Sequence, residues 1–352
     1  MTFTGTLPFG LLGALLALAI LVLSGRALAN PEPAEADAQL LSPRLQQWRD
    51  AGQFASYKGL KVYYQTLGQG PALLLLHGYP YNSYDFKWVA EQLAQKYRVI
   101  MFDLPGMGFS DKPQEHRYSF AEYADVTNTI LAQLGIDQVD ILAHDLGVSI
   151  AQELLAQADA NRFGIRSIAF MNGGLFTDVY RPRLIQRLLS QSPSWFGSFL
   201  SQRIGRASIE RSVLAVFGEH TKPSQELLDD YWEILNHRDG KSIIYLLGQL
   251  VFEKEQHQQR WIGAMQGTHT PLAYICGPAD PNSGRHMAQR YRELLPESPV
   301  FMLQDAIGHW PQIEAPEQVL AAYDAFRQKI AALPPANPLP SQADAGKTGA
   351  PD

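Results

Sequence analysis

An aspartate stands where a short apolar run gives way to a helical pattern. Residues 139–153 read VDILAHDLGVSIAQE, with Asp145 set between small residues. A small-x-acid-x-small turn between a strand and a helix is the pattern of a nucleophile elbow, with aspartate where serine usually stands. The small residues Ala143 and Gly147 allow the sharp turn, because a bulky side chain would collide with neighbouring backbone. The alternative interpretation is an ordinary turn in which Asp145 caps the helix.

Two further residues follow in the chain order that such a nucleophile requires, a second acid and then a histidine. Asp280 lies in GPADP after a predicted strand, and His309 lies in IGHWPQ after another. Because each residue follows a strand, all three side chains can converge above one sheet edge. Taken singly, Asp280 could form a turn and His309 could be an exposed loop histidine. Their joint occurrence favours a catalytic set.

The segment HGYP, residues 77–80, follows a predicted strand of five apolar residues. In an enzyme of this design the backbone N–H groups of Tyr79 and Leu146 would form an oxyanion hole. The alternative is a simple tight turn. The run DLPGMGFSD, residues 103–111, supplies another sharp loop, but no Gly-Lys-Ser/Thr follows its glycines, so nucleotide binding is excluded.

Strand and helix signals alternate through residues 54–173 and 269–333, which predicts a mostly parallel sheet flanked by helices. Ser119 and Glu122 form a capping box that predicts the start of one flanking helix. Residues 174–268 carry helical patterns without a convincing strand. This segment, here termed the cap, is predicted to be inserted over the carboxyl ends of the strands, where ligands bind in open α/β sheets. The predicted strands are 60–64, 72–76, 97–102, 139–142, 165–171, 271–276 and 299–303.

The two ends of the chain are predicted to lie outside this domain. Residues 7–23 are uncharged over a length between that of a signal-peptide core and a membrane helix. They favour a single-pass membrane anchor within residues 1–30, with a signal cleaved near Ala29 and an exported chain as the alternative. Residues 31–53 read as a linker, and residues 334–352 as a disordered tail.

The composition argues against several classes of partner and site. The formal net charge of −6 and the absence of a Lys/Arg run give no support for nucleic-acid binding. The single Cys276 excludes an internal disulfide and is predicted to be a buried, inert thiol. The nine histidines are scattered, without HExxH, so neither a metal nor a cofactor is predicted. The expected partner is a small apolar substrate, and the oligomeric state stays open.

Taken in order, the motifs resemble the α/β-hydrolases of the epoxide hydrolase and haloalkane dehalogenase branch. The matching segments are HGYP, DLPGMGFSDKP, AHDLG and GHWPQIEAPE, over about residues 54–332. Within that branch, NGGLFTDVYRPRLIQRLL, VFGEHTKPSQELLDDYWEI and ICGPADP are most similar to the mesoderm-specific transcript family. The resemblance implies an α/β-hydrolase fold with an inserted helical cap. It also implies that Asp145 is the nucleophile, His309 the base and Asp280 its partner.

A carboxylate nucleophile needs no deprotonation and can displace a leaving group at saturated carbon, which gives an alkyl-enzyme ester. His309, held in its tautomer by Asp280, would then activate water against the ester carbonyl of Asp145. The N–H groups of Tyr79 and Leu146 would stabilise the resulting oxyanion.

The kind of electrophile that Asp145 would attack depends on the residues across the pocket that would bind the leaving group. Similar dehalogenases carry tryptophan after the nucleophile and asparagine after HG, whereas this chain has Leu146 and Tyr79, so dehalogenation is disfavoured. Epoxide opening needs acidic hydroxyls, usually two cap tyrosines, although most cap tyrosines only pack. Asn172 could orient a ligand or simply form a turn. The candidate substrate contacts are Asn172, Tyr180, Tyr231, Tyr245 and Trp310.

The sequence therefore predicts a membrane-anchored or exported hydrolase that opens an apolar epoxide or a related alkyl electrophile. A hydrolase-like protein for binding or signalling at the membrane is the alternative, although such a protein does not need all three residues of the catalytic set. Ester hydrolysis is least favoured, because acyl transfer normally uses a hydroxyl or thiol nucleophile.

Overall fold

One sheet of eight strands runs through the computed structural model, which describes residues 41–182 and 194–332. The strands are β1 (Gln53–Tyr57), β2 (Leu60–Leu67), β3 (Ala72–Leu76), β4 (Arg98–Phe102), β5 (Gln138–His144), β6 (Gly164–Met171), β7 (Leu272–Cys276) and β8 (Val300–Met302). Their spatial order is β1-β2-β4-β3-β5-β6-β7-β8. β2 pairs antiparallel with both β1 and β4, and all other pairs are parallel.

Helices cover both faces of the sheet and form the cap. The α-helices of the described residues are α1 (Pro43–Asp50), α2 (Lys87–Leu93), α3 (Phe120–Gln133), α4 (Leu146–Ala156), α5 (Ser194–Arg203), α6 (Arg206–Leu214), α7 (Gln225–Asn236), α8 (Ile244–Gly248), α9 (Leu250–Gly267), α10 (Arg285–Leu294), α11 (Pro311–Glu314) and α12 (Pro316–Ala331). Short 3-10 helices occupy Ser83–Phe86, Ala158–Ala160 and His237–Ile243. Between β6 and β7 the described residues contain helices and loops but no strand.

The central strand β3 shows why its sequence, ALLLL, has no polar alternation. Every residue of β3 is buried, because helices cover the sheet on both sides. Leu74 and Leu76 pack into a cluster with α3, α4 and α10, whereas Leu73 and Leu75 pack into a second cluster with α2 and α12. The α/β architecture predicted from alternating strand and helix signals is confirmed.

Local signals predicted several elements well and others poorly. The capping box is present, since the Ser119 hydroxyl accepts a hydrogen bond from the Glu122 amide at 3.1 Å. The edge strand β1 was not predicted, because only Ala55 and Tyr57 of its five residues are buried. Within the segment 174–268, for which helical patterns were predicted, residues 237–267 are divided between a 3-10 helix, α8 and α9. Residues 183–193 of the same segment lie outside the described residues.

The prediction of a membrane anchor has to be corrected. Across residues 41–182 and 194–332, no helix has both the length and the apolar character needed to cross a membrane. The segment predicted as anchor or cleaved signal, residues 1–30, lies outside the described residues, as does the tail 334–352. The single-pass anchor, and the membrane location derived from it, are therefore withdrawn.

Candidate active site

Asp145 occupies a strained backbone position between β5 and α4. Its φ of 50° and ψ of −109° lie in a region that non-glycine residues rarely adopt. The Asp145 amide is held by the carbonyl oxygens of Asn172, at 3.0 Å, and Met171, at 3.3 Å. Its carboxylate makes no capping hydrogen bond to α4. The turn thus presents the side chain above the sheet instead of using it to cap the helix.

Two glycines allow the close approach of the chain around this turn. A Cβ at Gly147 would lie 2.3 Å from the carbonyl oxygen of Leu76, at the end of β3. A Cβ at Gly78 would lie 2.4 Å from the Cβ of Asp145. Both distances are far below van der Waals contact, so the elbow and the HGYP loop can meet only if these positions carry no side chain.

The structure brings Asp145, Asp280 and His309 together at the carboxyl ends of β5, β7 and β8. His309 Nε2 lies 3.3 Å from Asp145 Oδ2, and His309 Nδ1 lies 2.8 Å from Asp280 Oδ2. The His309 loop is tied to the cap, since its amide donates to the carbonyl oxygen of Val216 at 2.9 Å. The imidazole therefore bridges the two carboxylates in the order expected of a nucleophile, a base and an orienting acid.

Asp280 is held by three donors besides His309. The Ser283 hydroxyl donates to Asp280 Oδ2 at 2.6 Å, the Asn282 amide to Oδ1 at 2.8 Å, and Asn172 Nδ2 to Oδ2 at 3.0 Å. Asn172 also exchanges hydrogen bonds with the backbone of Gly277 at the end of β7. Asn172 is fully buried behind Asp280, so it orients the acid and does not face a ligand.

The charges of the three groups depend on one another. Burial opposes ionisation of both carboxylates, but the hydrogen bond and charge of His309 hold the pKa of Asp145 well below its usual range. The charge and hydrogen bond of His309 likewise lower the pKa of Asp280 to about 2. Burial also opposes protonation of His309, yet the two carboxylates outweigh it and raise its pKa to about 10. The resting site is therefore an ionised carboxylate–imidazolium–carboxylate set.

A backbone amide binds the second carboxylate oxygen of Asp145. The Tyr79 amide donates to Asp145 Oδ1 at 2.9 Å. Leu146 is the first residue of α4, so its N–H has no carbonyl partner within the helix. Of the two amides predicted to form an oxyanion hole, the Tyr79 amide is hydrogen-bonded to the Asp145 carboxylate. The other belongs to Leu146, the residue directly after Asp145.

Two buried histidines that we did not predict support this arrangement. His77 Nε2 accepts a hydrogen bond from the Leu104 amide at 2.9 Å, which fixes the loop that carries Tyr79. His144 Nε2 lies 2.8 Å from the carbonyl oxygen of His309, to which it must donate. Burial lowers the pKa of His144 to about 4, so it is neutral at pH 7. His77 belongs to HGYP and His144 to AHDLG, and this membership was the only sequence signal for their roles.

A mostly apolar cavity of about 130 Å³ opens onto Asp145 and His309. The core loops form one wall of this cavity, and the cap forms the other. Its principal lining side chains are Tyr79, Tyr81, Val213, Val216, Ile244 and Trp310. The cavity therefore suits a small apolar molecule next to the Asp145 carboxylate.

Comparison with known proteins identifies the family. The model for the alpha/beta hydrolase fold matches residues 71–316. The chain belongs to the α/β-hydrolase family. It is 37% identical over 297 residues to the mesoderm-specific transcript protein of Mus musculus, a match covering 81% of this chain and 88% of that protein. The resemblance inferred from the motifs is confirmed.

Solved structures share the fold of this α/β-hydrolase at low sequence identity. The epoxide hydrolase CorEH matches with a TM-score of 0.65 and 20% identity, over 79% of this chain and 99% of that one. A haloalkane dehalogenase, the DbeA-M1 loop variant from Bradyrhizobium elkanii, matches with a TM-score of 0.65 and 21% identity, over 80% and 97%. At such identities the likeness establishes the architecture and does not identify a substrate.

The predicted substrate contacts of the α/β-hydrolase divide into two groups. Trp310 lines the cavity, as expected. Tyr231 does not line it, because its hydroxyl donates to Asp85 Oδ1 at 2.8 Å. Tyr245 packs against Gly197 of α5, and the Tyr180 ring lies beside the buried ammonium of Lys254, at 5.3 Å. Tyr231 is thus bound to Asp85 and Tyr245 packs against α5, whereas Tyr79 of HGYP and the adjacent Tyr81 line the cavity.

Two buried charged residues near the site were also missed. Asp85 accepts hydrogen bonds from Tyr231 and, at 3.2 Å, from Trp310 Nε1, and burial raises its pKa to about 7. Burial lowers the pKa of Lys254 to about 8, although the charge of Asp145 opposes this effect. Over the described residues, no group of three His, Cys, Asp or Glu side chains is arranged to hold a metal ion.

Proposed function

We propose that this α/β-hydrolase opens small apolar epoxides through a covalent ester on Asp145. The observation that carries the proposal is the position of Asp145, with one oxygen 3.3 Å from His309 Nε2 and the other bound by the Tyr79 amide, at the end of an apolar cavity. Membership of the family supports hydrolysis in general. The nature of the nucleophile argues for an alkyl electrophile.

In the first step Asp145 Oδ2 attacks a ring carbon of the epoxide. The new C–O bond joins Asp145 to the substrate, and the electron pair of the broken ring bond passes to the epoxide oxygen, which must take up a proton. Oδ2 is the attacking atom because Oδ1 already accepts from the Tyr79 amide. That arrangement leaves Oδ1 as the carbonyl oxygen of the ester.

In the second step His309 takes a proton from water, and the hydroxide attacks Cγ of Asp145. The tetrahedral oxyanion develops on Oδ1, where the N–H groups of Tyr79 and Leu146 stabilise it. Collapse breaks the bond between Cγ and Oδ2, and Oδ2 leaves on the substrate carbon as an alkoxide, which takes the proton that His309 acquired from water and becomes the diol. The new carboxyl group of Asp145 then passes its proton to His309, which restores the carboxylate and the imidazolium. Alkylation removes the charge of Asp145, which lowers the pKa of His309 and permits it to act as a base.

A halide leaving group fits this site less well. Halide binding needs donors in the cavity that can stabilise an anion. Trp310 is a cavity tryptophan, but its Nε1–H is donated to Asp85 Oδ2. Position 146, directly after the nucleophile, is leucine and offers no indole. These contacts favour an epoxide, whose oxygen leaves while still attached to the carbon chain.

The test is to trap the ester. We expect the His309→Gln variant, incubated with styrene oxide and short aliphatic epoxides, to gain the mass of one substrate molecule, and peptide mapping to place the adduct on Asp145. The double variant Asp145→Asn/His309→Gln is the control and should gain no mass. If His309→Gln forms no adduct and the unmodified protein turns over no epoxide, a binding role replaces the proposal.

A further inference from the structure

We infer that the hydroxyl of Tyr81 donates the proton to the departing epoxide oxygen, a role that the sequence had assigned to tyrosines of the cap. The inference rests on the proposed function, because it names the acid for the first step of that reaction. It follows from where the phenol rings lie and from which of their hydroxyls already have partners.

Tyr81 is held rigidly in the wall of the cavity that contains Asp145 and His309. Its ring stacks on that of Tyr231 with centroids 3.8 Å apart and planes 10° from parallel. The ring of Trp310, which also lines the cavity, lies 6.2 Å away. Only 1% of Tyr81 is exposed, so its packing against Tyr231 fixes the ring in the wall of the cavity that Asp145 also lines.

The hydroxyl of Tyr81 is available, whereas those of its neighbours are occupied. Tyr79 donates to the carbonyl oxygen of Ile244 at 3.2 Å, and Tyr231 donates to Asp85. Within the described part of the chain, no residue forms a hydrogen bond with the Tyr81 hydroxyl. A buried phenol usually has a hydrogen-bond partner. A substrate oxygen in the cavity would supply one.

The protonation state of Tyr81 suits a donor. Burial, with the nearby charge of Asp85, raises the pKa of Tyr81 well above its usual range, so the phenol stays protonated until the substrate reacts. An alkoxide is a stronger base than a phenolate. The proton can therefore pass from Tyr81 to the ring oxygen as the C–O bond breaks.

This transfer also completes the proton balance of the whole cycle. Resting His309 is protonated, and a protonated imidazole cannot activate water. The phenolate left at Tyr81 is a stronger base than neutral imidazole, so it recovers a proton from His309 through cavity water. That transfer regenerates Tyr81 and leaves His309 neutral for the hydrolytic step. Epoxide and water are converted to diol with no other proton donor or acceptor.

The test compares single-turnover alkylation in the His309→Gln background. We expect adding Tyr81→Phe to slow adduct formation on Asp145 from an alkyl epoxide about 100-fold. The deficit should shrink for a trifluoromethyl-substituted epoxide, whose oxygen leaves as a weaker base. Tyr245→Phe, which removes a phenol hydroxyl outside the cavity, is the matched control and should leave both rates unchanged.

The outcomes separate this inference from the proposed function. If His309→Gln alone forms no adduct, the proposed function fails and the role of Tyr81 with it. If the adduct forms and Tyr81→Phe leaves its rate unchanged, the acid is another group. An equal loss for both epoxides, accompanied by a lower melting temperature, would mean that Tyr81 acts only in packing and would also overturn the inference.

Discussion

The backbone amide of Tyr79 donates a hydrogen bond to Oδ1 of Asp145 at 2.9 Å in the resting site. This contact makes the two carboxylate oxygens different before any substrate binds. Oδ1 occupies the place where an oxyanion would form, and Oδ2 lies beside His309, 3.3 Å from Nε2. The donor that the second step of the proposed reaction requires is therefore already in position for the first step, so that reaction would need little rearrangement of the site.

Replacing Asn172 with alanine should slow the hydrolytic step specifically. The change removes a donor to Asp280 and both contacts with the Gly277 backbone, so the acid would no longer orient His309. A hydrogen bond to a charged group contributes roughly 1.5–3 kcal/mol, which predicts ester hydrolysis slower by about 10–100-fold. Rapid-quench mass spectrometry should show the Asp145 ester accumulating. Asn236→Ala, whose amide donates to the Trp232 carbonyl oxygen, is the control, and no accumulation in the Asn172 variant would refute the assigned role.

The two half-reactions should respond differently to pH. In the resting enzyme the carboxylates raise the pKa of His309 to about 10 against the effect of burial, and Asp145 is ionised throughout the neutral range. Alkylation should therefore proceed at a constant rate from pH 6 to 9. The ester has lost the charge on Asp145, so the pKa of His309 falls below 10, and the hydrolysis rate should rise with pH until His309 is neutral. Single-turnover rates of alkylation and of hydrolysis, measured from pH 5 to 9, test this prediction. A hydrolysis rate that does not change with pH would contradict it.

Asp85 should make the protein less stable as the pH rises. Burial raises its folded-state pKa to about 7, compared with about 3.9 in the unfolded chain. Between these values the folded state keeps a proton that the unfolded state has lost, so the free energy of unfolding falls across pH 4–7 by up to about 4 kcal/mol from this group. In the Asp85→Asn variant the free energy of unfolding should not show this part of the fall across pH 4–7. Urea unfolding of both proteins at pH 4.5, 6 and 8 tests it, and parallel curves would disprove it.

Lys254 should destabilise the fold at neutral pH. It is 3% exposed, with the rings of Tyr180 and Phe120 at 5.3 and 6.0 Å from its ammonium. Burial lowers its folded-state pKa to about 8, compared with about 10.4 in the unfolded chain, so stability rises with pH between these values. Lys254→Met should be more stable than the unmodified protein by roughly 2–3 kcal/mol at pH 7, with the gain shrinking towards pH 10. Thermal melts should show this, with exposed Lys61→Met as a neutral control. A destabilised Lys254→Met would indicate that the ammonium has a favourable partner.

The secondary structure was predictable where the signal is local. The run ALLLL is sufficient to predict β3, and Ser119 and Glu122 at the capping positions are sufficient to predict the start of α3. β1 was missed because QFASY has no strong pattern and depends on pairing with β2, in which Phe54 lies opposite Tyr63. Local propensity does not contain that long-range pairing.

The same division applies to the candidate site. Asp145, Asp280 and His309 could be selected because the ends of parallel strands meet at one edge, whatever the details of the loops. The cap tyrosines could not be assigned in this way. Tyr231 faces Asp85, which is 146 residues away in the chain, and Tyr245 faces α5. Neither orientation follows from the sequence near each tyrosine.

By itself the sequence determined the parallel sheet, the elbow at Asp145 and the strand ends that carry Asp280 and His309, since buried apolar runs and small turn residues act over a few positions. The tertiary structure decided which side chains surround Asp145. In the structure Asn172 donates to Asp280 instead of facing a ligand, Tyr231 donates to Asp85, and Tyr81 lines the cavity. The reason is physical: the direction of a side chain between the core and the cap depends on packing and hydrogen bonds between residues far apart in the chain.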